Sequence, residues 1–328
     1  MRQIGGMFLK DAIGVIVALF LGACALGVVA ADYIEPQVTL ENREINGSSG
    51  LAASFSELGV FYTHNDGGNN RIFTFDRQGR NRGTWILEGV TAHDVEEMAS
   101  SLAHAEQMLW LVDTGNNRTP EREPADVFHL HMVLAPKATK AGAKPEVKTI
   151  AAAQISTVQF RFEGGKADCE AVAVDVLRNQ ILLINKVPRV AQASANLSTN
   201  VYALKLDEVF ESLAGEEVVE AKRIVMGMPP LPEQITGMDI SRDGKKAVIQ
   251  TYDDAYEFDF DTDWKTTFSK PYSRKIAVRV EPTGHPKNYT FRESICYGPA
   301  GHSLFITREL SSWEIENTDR RTPLWQIR

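Results

Sequence analysis

The sequence predicts an all-β protein, and two observations support that prediction. Short segments with alternating apolar residues, broken by Asp, Asn, Gly and Pro, recur along the chain, as is typical of strands. One strand pattern then repeats five times in the same order, which indicates a repeat architecture. Only residues 206–215 have the pattern of a helix, and the Lys/Ala/Gly-rich stretch 136–147 is predicted to be an exposed loop.

Each repeat begins with a strand that starts on polar or small residues and continues into apolar ones. A second strand ends in polar or charged residues, a third carries an aromatic residue, and a fourth follows in the first four repeats. The fifth repeat has no fourth strand before Arg328, whereas the segment 37–45 precedes the first repeat without a counterpart. The five first strands are predicted at 49–54, 94–99, 168–173, 236–241 and 292–297.

A ring that is closed by pairing the N-terminal strand into the last repeat accounts for both irregularities. Radial repetition of four-stranded sheets leaves few long exposed edges. The sequence therefore predicts a five-bladed β-propeller domain over residues 32–328. The first strands are unevenly spaced, so a six-bladed propeller with a further blade within 119–166 is the alternative.

The composition restricts the function. With 43% hydrophobic and 24% charged residues the chain belongs to the globular class, which excludes collagen, disordered chains and multi-span membrane proteins. The net charge of −8 argues against a nucleic-acid partner, because the phosphate backbone is bound by surplus Lys and Arg. The composition leaves the oligomeric state open.

The N-terminal segment predicts export. Arg2 and Lys10 precede an apolar run over 12–31, and small residues near Ala30 suit signal-peptide cleavage. An uncleaved membrane anchor is the alternative, because the run is long enough to span a bilayer, and a lipoprotein box ending at Cys24 is a weaker one. All three place residues 32–328 in the periplasm or outside the cell, with membrane contact only through residues 1–31. Cys169 and Cys296 are then predicted to be two buried thiols.

Several motifs resemble those of a family of exported bacterial β-propellers. They are SGLAAS at 49–54, HNDGGN at 64–69, DVEEMA at 94–99 and VDTGNNR at 112–118, and the resemblance covers about 36–328. It implies the fold but no specific activity, since that family is largely without assigned function and only loosely similar to propeller phytases and esterase-like proteins. The chain departs from the family pattern at Asn116 and Asn117, where Gly-Asp-Asn is usual, and at Val95, where an aromatic residue is common.

A group of acids is predicted to converge at one mouth of the propeller axis. The start of each first strand lies beside the end of the antiparallel second strand, so both ends meet at the same mouth. Glu96, Glu170 and Glu293 occupy equivalent first-strand positions in three repeats. Further acids follow second strands or flank first strands: Asp66, Asp113, Asp253 and Glu309, and Asp94, Asp168 and Asp239. A role in the local turn is the alternative for Asp66 and Asp113.

Such a ring of acids needs a counterion, because like charges in close contact raise each other's pKa. A divalent cation is one solution, and Ca²⁺ suits a set of carboxylates because it takes about 6–8 oxygen ligands. Pairing with basic residues and solvation by water are the other two. The metal ligands are predicted to be Glu96, Glu170, Glu293, Asp66 and Asp113. The basic candidates for pairing are Arg71, Arg118, Lys186, Arg292 and Arg308.

Two functions remain open from the sequence. One is a non-catalytic binding or scaffold module that takes a small-molecule or anionic ligand. The other is a metal-dependent hydrolase of a phosphoester, ester or lactone, in which the cation polarises the substrate or activates water. In both, Lys186, Arg308 and His64 are the candidates for contacting an anionic group. The chain has no Gly-x-Ser-x-Gly, His-Glu-x-x-His or phosphate-loop motif, so the sequence leaves open whether it is an enzyme.

Overall fold

The computed structural model describes residues 36–103, 105–115, 126–187, 198–215, 217–231, 234–278 and 291–327. All of them belong to one compact unit, Tyr33–Arg328. The predicted export segment, Cys24, Asn116, Asn117 and Arg118 lie outside the described residues. Within those ranges, every helix is too short or too polar to cross a bilayer.

The described part of the chain is mostly β-strand, as predicted. Its strands are β1 (Val38–Thr39), β2 (Ser48–Ala53), β3 (Val60–Asn65), β4 (Arg71–Asp76), β5 (Asn81–Leu87), β6 (Val95–Ala103), β7 (Glu106–Asp113), β8 (Phe128–Leu134), β9 (Val147–Ile150), β10 (Ser156–Phe162), β11 (Cys169–Asp175), β12 (Gln180–Asn185), β13 (Asn200–Lys205), β14 (Val219–Met226), β15 (Ile235–Ile240), β16 (Lys246–Thr251), β17 (Asp254–Asp259), β18 (Arg274–Ala277), β19 (Ser294–Tyr297), β20 (Leu304–Thr307) and β21 (Pro323–Ile327).

These strands form four sheets. Three have the orders β2-β3-β4-β5-β9, β15-β16-β17-β18 and β1-β21-β20-β19. The fourth has eight strands in the order β11-β12-β13-β14-β10-β8-β7-β6, and it consists of two antiparallel runs that a parallel pair, β10 with β14, joins. Each predicted repeat is therefore an antiparallel run that begins at β2, β6, β11, β15 or β19.

The inner strands give the fold its propeller character. Contacts run from β2 to β6, from β6 to β11, from β11 to β15, from β15 to β19, and from β19 back to β2. As predicted, a strand that precedes the first repeat joins the last one: β1 pairs antiparallel with β21 through Val38 opposite Leu324. In the described part of 119–166, β9 adds to the sheet of β5 and β10 adds to that of β8.

Three α-helices lie in the part of the chain that the structure describes. The predicted helix is present as α1 (Leu206–Gly215), whereas α2 (Trp264–Phe268) and α3 (Ser312–Asn317) were not predicted. Both are too short to show a helical period. Their sequence signal lies in their caps: the Asp263 carboxylate accepts from the Thr266 N–H, and Ser311 forms a capping box with Glu314.

The hydrophobic core lies between neighbouring sheets. Phe61 stacks on Phe75 and also contacts Phe305 of the last sheet, with ring centroids 4.5 Å apart in the second pair. Trp110 and Trp325 are buried, whereas Trp85 is partly buried. Cys169 and Cys296 are buried free thiols, which confirms that prediction.

Candidate functional site

The first strands start with a backbone irregularity that sets the position of the acids. The register of four of them shifts by one residue, between Ser48 and Gly50, Val95 and Glu97, Cys169 and Ala171, and Ile235 and Gly237. A β-bulge of this kind turns the extra side chain out of the strand's alternation. The residues in the bulges are Ser49, Glu96, Glu170 and Thr236, and Glu293 directly precedes β19. The three predicted glutamates are thus equivalent in structure.

A second layer comes from the residues that follow the second strands. Asp66, Thr114, Lys186 and Tyr252 come directly after β3, β7, β12 and β16, and Glu309 follows β20 by two residues. Asp66 interacts electrostatically with Glu96, and Glu309 with Glu293, Asp66 and Glu170. The ends of first and second strands therefore meet, as the antiparallel geometry requires.

Two overlapping groups of acids have the spacing that a metal ion needs. One ligand oxygen of each of Asp66, Asp94 and Glu96 lies within 4.8 Å of the others, and the same holds for Glu96, Asp168 and Glu170. Glu96 belongs to both groups. We call these five residues, with Glu293 and Glu309, the axial acid cluster.

Burial shifts the titration of this cluster. Burial raises the pKa of Glu96 well above its usual range, and the nearby Glu170, Asp66 and Asp94 raise it further. Burial raises the pKa of Glu170 to about 8, although the charge of Lys186 opposes the rise. Burial and neighbouring acids also raise the pKa of Glu309, which shares a side-chain hydrogen bond with Glu293. The cluster therefore favours binding of a proton or a cation, either of which reduces the repulsion.

Lys186 supplies a positive charge within the cluster. Its Nζ donates to Glu170 Oε1 at 2.5 Å, and it lies 5.2 Å from the centre of the Tyr252 ring. The Tyr252 side chain hydrogen bonds to both Lys186 and Glu293. Burial raises the pKa of Tyr252, so its hydroxyl stays protonated and adds a donor. The predicted pairing of an acid with a basic residue is thus present at Lys186.

Three candidate residues have other contacts. The Asp113 carboxylate accepts from the backbone N–H groups of His93 and Asp94, at 2.8 and 2.9 Å, and lies outside both metal-spaced groups. Arg308 donates to both oxygens of Glu314, at 3.0 and 2.6 Å. His64 is fully buried, and burial lowers its pKa to about 4, which makes it neutral. Their roles as a ligand and as contacts for an anionic group stay predictions.

Two other basic candidates, Arg71 and Arg292, contact groups outside the axial acid cluster. Arg71 pairs with Glu44 at the surface, and Arg292 donates to the Tyr252 carbonyl oxygen. Asp253 lies 3.7 Å from Arg292, and Asp239 accepts from backbone N–H groups further along the first strands. Asp253 and Asp239 are thus held by contacts outside the metal-spaced groups.

Gly115 is a site residue that the sequence analysis missed. A Cβ at this position would lie 2.2 Å from Glu96 Oε1 and 2.3 Å from Asp94 Oδ2. Only a residue without a side chain lets the backbone come so close to the acids. The available signal was the glycine in Asp113-Thr114-Gly115, directly after a second strand.

The geometry fits a hard divalent cation. Two oxygen atoms bound to one Ca²⁺ ion lie at most about 5.2 Å apart, since each bond is about 2.3–2.6 Å. The ligand oxygens of each acid group lie within 4.8 Å of one another and so meet that requirement. Carboxylate oxygens are the ligands that Ca²⁺ and Mg²⁺ prefer, and the space beside Gly115 is one that a Cβ would fill.

No family model matches the chain, and no curated protein matches it. Among solved structures, it is similar to a hydrazine synthase of Kuenenia stuttgartiensis, with 11% identity, a TM-score of 0.44, and coverage of 86% of this chain and 71% of that one. It is also similar to the RRP9 WD40 repeats, with 9% identity, a TM-score of 0.38, and coverage of 90% and 100% respectively. The fold is therefore assigned from the arrangement of sheets in this chain and not from these similarities.

Proposed function

We propose that the chain is an exported, five-bladed β-propeller that binds a divalent cation, Ca²⁺ by preference, in the axial acid cluster. The blade count is supported by the five inner strands, which contact one another in a closed sequence from β2 through β19. The cation is supported by one observation above all: two groups of carboxylates with metal-ligand spacing share Glu96. Asp66, Asp94, Asp168 and Glu170 complete the proposed ligand set.

The first test is direct metal binding. Chelator-treated protein is titrated with Ca²⁺ and then Mg²⁺ by calorimetry, and thermal unfolding is followed with and without each ion. We expect Ca²⁺ to bind and to raise the Tm, and Glu96→Gln to abolish both effects. Asp113→Asn is the matched control, because Asp113 is a buried acid outside the metal-spaced groups. Loss of binding in that variant alone would contradict the proposed ligand set.

The proposed biological role is a binding or scaffold module for a small-molecule or anionic ligand. The support is Lys186, a basic residue that lies beside Glu170 and Tyr252. An anionic ligand would bridge the cation and this ammonium group. The test compares phosphate binding by the calcium-loaded wild type and by the Lys186→Met variant. Tighter binding by the wild type would support this role, and equal affinity would contradict it.

A metal-dependent hydrolase of a phosphoester, ester or lactone is the second candidate. Its support is the hydrogen-bonded pair Glu293 and Glu309, which can hold a proton beside the proposed cation, with Tyr252 next to them. A bound cation would polarise the substrate oxygen, and Glu309 would hold the proton for the leaving group. The test is a substrate screen with Ca²⁺ present. Turnover that falls at least tenfold in Glu309→Gln would support the hydrolase, and absence of turnover favours the binding module.

Export is proposed from residues 1–31 and from the resemblance to exported bacterial propellers. Cell fractionation with N-terminal sequencing of the mature protein tests it. A new N-terminus near Ala31 supports signal cleavage, whereas membrane-bound protein with an intact N-terminus supports an anchor. Recovery of intact, soluble protein from the cytoplasm would contradict export.

A further inference from the structure

A second buried acid lies one residue beyond Glu96, outside the metal-spaced groups. Glu97 is 0% exposed. Its Oε1 accepts from the Met98 N–H at 2.9 Å, its Oε2 accepts from the Met238 N–H at 3.2 Å, and the Leu51 N–H also hydrogen bonds to it. These donors belong to β6, β15 and β2, so one carboxyl group joins three inner strands.

The sheet topology explains why these N–H groups are available. Each inner strand lies at the end of its antiparallel run, and its axis-facing backbone groups have no neighbouring strand to pair with. Leu51, Met98 and Met238 occupy the same position in their repeats, two residues after the bulged residue. A buried N–H needs an acceptor, and Glu97 supplies one to all three.

The other inner strands leave room for this side chain. The residues equivalent to Glu97 are Gly50, Ala171, Gly237 and Ser294. Each is the first paired residue after the bulge position. A Cβ on Gly237 would lie 3.2 Å from Glu97 Oε2, and a Cβ on Gly50 would lie 2.1 Å from the Met98 nitrogen that donates to Glu97. The two glycines thus let the Glu97 carboxyl group and the Met98 backbone lie close to β15 and β2.

A further polar atom near these strands has no hydrogen-bond partner. It is His64 Nε2, which lies 2.6 Å from the position of a Gly50 Cβ, and His64 is 0% exposed. The other ring nitrogen of His64 already contacts the carbonyl oxygen of Asn65. A buried polar group beside Gly50 therefore adds to the backbone N–H groups that face Glu97.

We propose that the axis beyond the acid cluster contains a binding site for a small carboxylate, built from backbone N–H groups of β2, β6 and β15, and that Glu97 fills it from within the chain. Converging backbone N–H groups form anion sites in other folds as well. Removal of the Glu97 side chain then opens the site to formate, which is small enough to take the place of the carboxyl group.

The test is rescue of Glu97→Gly by formate in the full chain. Thermal unfolding is measured in sodium formate and in sodium chloride of equal ionic strength, with chelator present so that the proposed cation plays no part. We expect formate to raise the Tm of Glu97→Gly by about 3 °C or more in a saturable manner, and to leave the wild type unchanged. Acetate, which is larger by a methyl group, is expected to act more weakly.

Two further variants keep the test decisive. Glu96→Gly is the matched control: it removes an adjacent buried acid that lies among other acids, so no response to formate is expected. Glu97→Gln keeps the length of the side chain and is expected to lower the Tm without any response to formate. If Glu97→Gly does not fold alone, its refolding yield in formate and in chloride replaces the Tm. Equal effects of both salts, or a formate response in Glu96→Gly, would overturn the proposal.

Discussion

Glu96 and Glu97 are neighbours on β6, and both are buried carboxyl groups, yet their surroundings are opposite in kind. Glu96 lies among other acids, which add to the effect of burial in raising its pKa. Burial also raises the pKa of Glu97, but backbone hydrogen bonds from Met98, Met238 and Leu51 oppose the rise. The bulge at Glu96 separates the two environments, because it directs adjacent side chains to different levels of the axis.

The difference shows that the effect of a buried acid on stability depends on the hydrogen-bond donors around it. Like charges at close range repel one another, so the burial of Glu96 and Glu309 beside other acids costs stability until a cation or a proton binds. Glu97 instead satisfies N–H groups that would otherwise be buried without a partner, so it stabilises the fold. Variants of the two residues should therefore have effects of opposite sign.

The largest effect is expected for Glu97→Ala. Three backbone N–H groups lose their acceptor, at a cost of about 1–3 kcal/mol each, so we expect the free energy of unfolding to fall by about 3 kcal/mol or more. Urea denaturation of the chelator-treated protein measures it. A loss below about 1 kcal/mol would remove the contrast with Glu96.

Gly115→Ala is expected to act on the acid cluster alone. The new Cβ would displace the oxygens of Glu96 and Asp94 and so separate one group of proposed ligands. We expect Ca²⁺ affinity to fall at least tenfold, which corresponds to about 1.4 kcal/mol. When Gly115→Ala is combined with Glu97→Gly, the response to formate should be retained. Calorimetry of the variant measures the first effect. Unchanged Ca²⁺ affinity would place the cation elsewhere.

Asp239, like Glu97, is a buried acid that accepts backbone hydrogen bonds, and it allows a test of pH dependence. Its carboxyl accepts from the Ile240 and Tyr297 N–H groups, and burial raises its pKa from 3.8 to about 7. Because the folded protein holds this proton more tightly, the stabilising contribution is complete below about pH 3.8 and is lost as the pH rises to about 7. Over this pH range, the free energy of unfolding should fall more steeply in the wild type than in Asp239→Asn, and the two slopes should differ by about 1 kcal/mol per pH unit. Parallel curves of unfolding free energy against pH would contradict the shift.

The smallest effect, and the one of opposite sign, is expected for Glu96→Gln. Glutamine neither repels the neighbouring acids nor needs to take up a proton on folding, so the chelator-treated variant should be more stable than the wild type by about 1 kcal/mol. With Ca²⁺ present the order should reverse, since only the wild type gains from the ion. Urea denaturation under both conditions measures the change. Destabilisation in both would show that Glu96 resembles Glu97.

The strands and their repeating order were predictable because period-two apolar patterns and turn residues are local signals. The pairing of β1 with β21 followed from the unmatched segment 37–45 and was also predicted. The parallel pair of β10 with β14 was not, because nothing local in either strand specifies which neighbour it meets. The helices α2 and α3 were missed because their signal lies in the caps.

The acid cluster was predicted in part. Equivalence of Glu96, Glu170 and Glu293 was visible from their matched positions, since a repeat aligns residues without a structure. Asp113 was included because it lies at the end of a second strand, and its carboxylate accepts two backbone N–H groups. Its role as a ligand stays a prediction. A shift of one residue in a strand reverses the direction of a side chain, and the bulges introduce such shifts.

By itself, the sequence determined the all-β class, the order of the repeats and the surplus of acids at the ends of their strands. These follow from composition and short-range pattern, which any stretch of chain carries with it. Only the tertiary structure decided which acids lie together, that Gly115 borders them, and that Glu97 is held by N–H groups of three inner strands. Those properties depend on distances between residues far apart in the chain, and small register shifts, which the sequence pattern does not show, determine them.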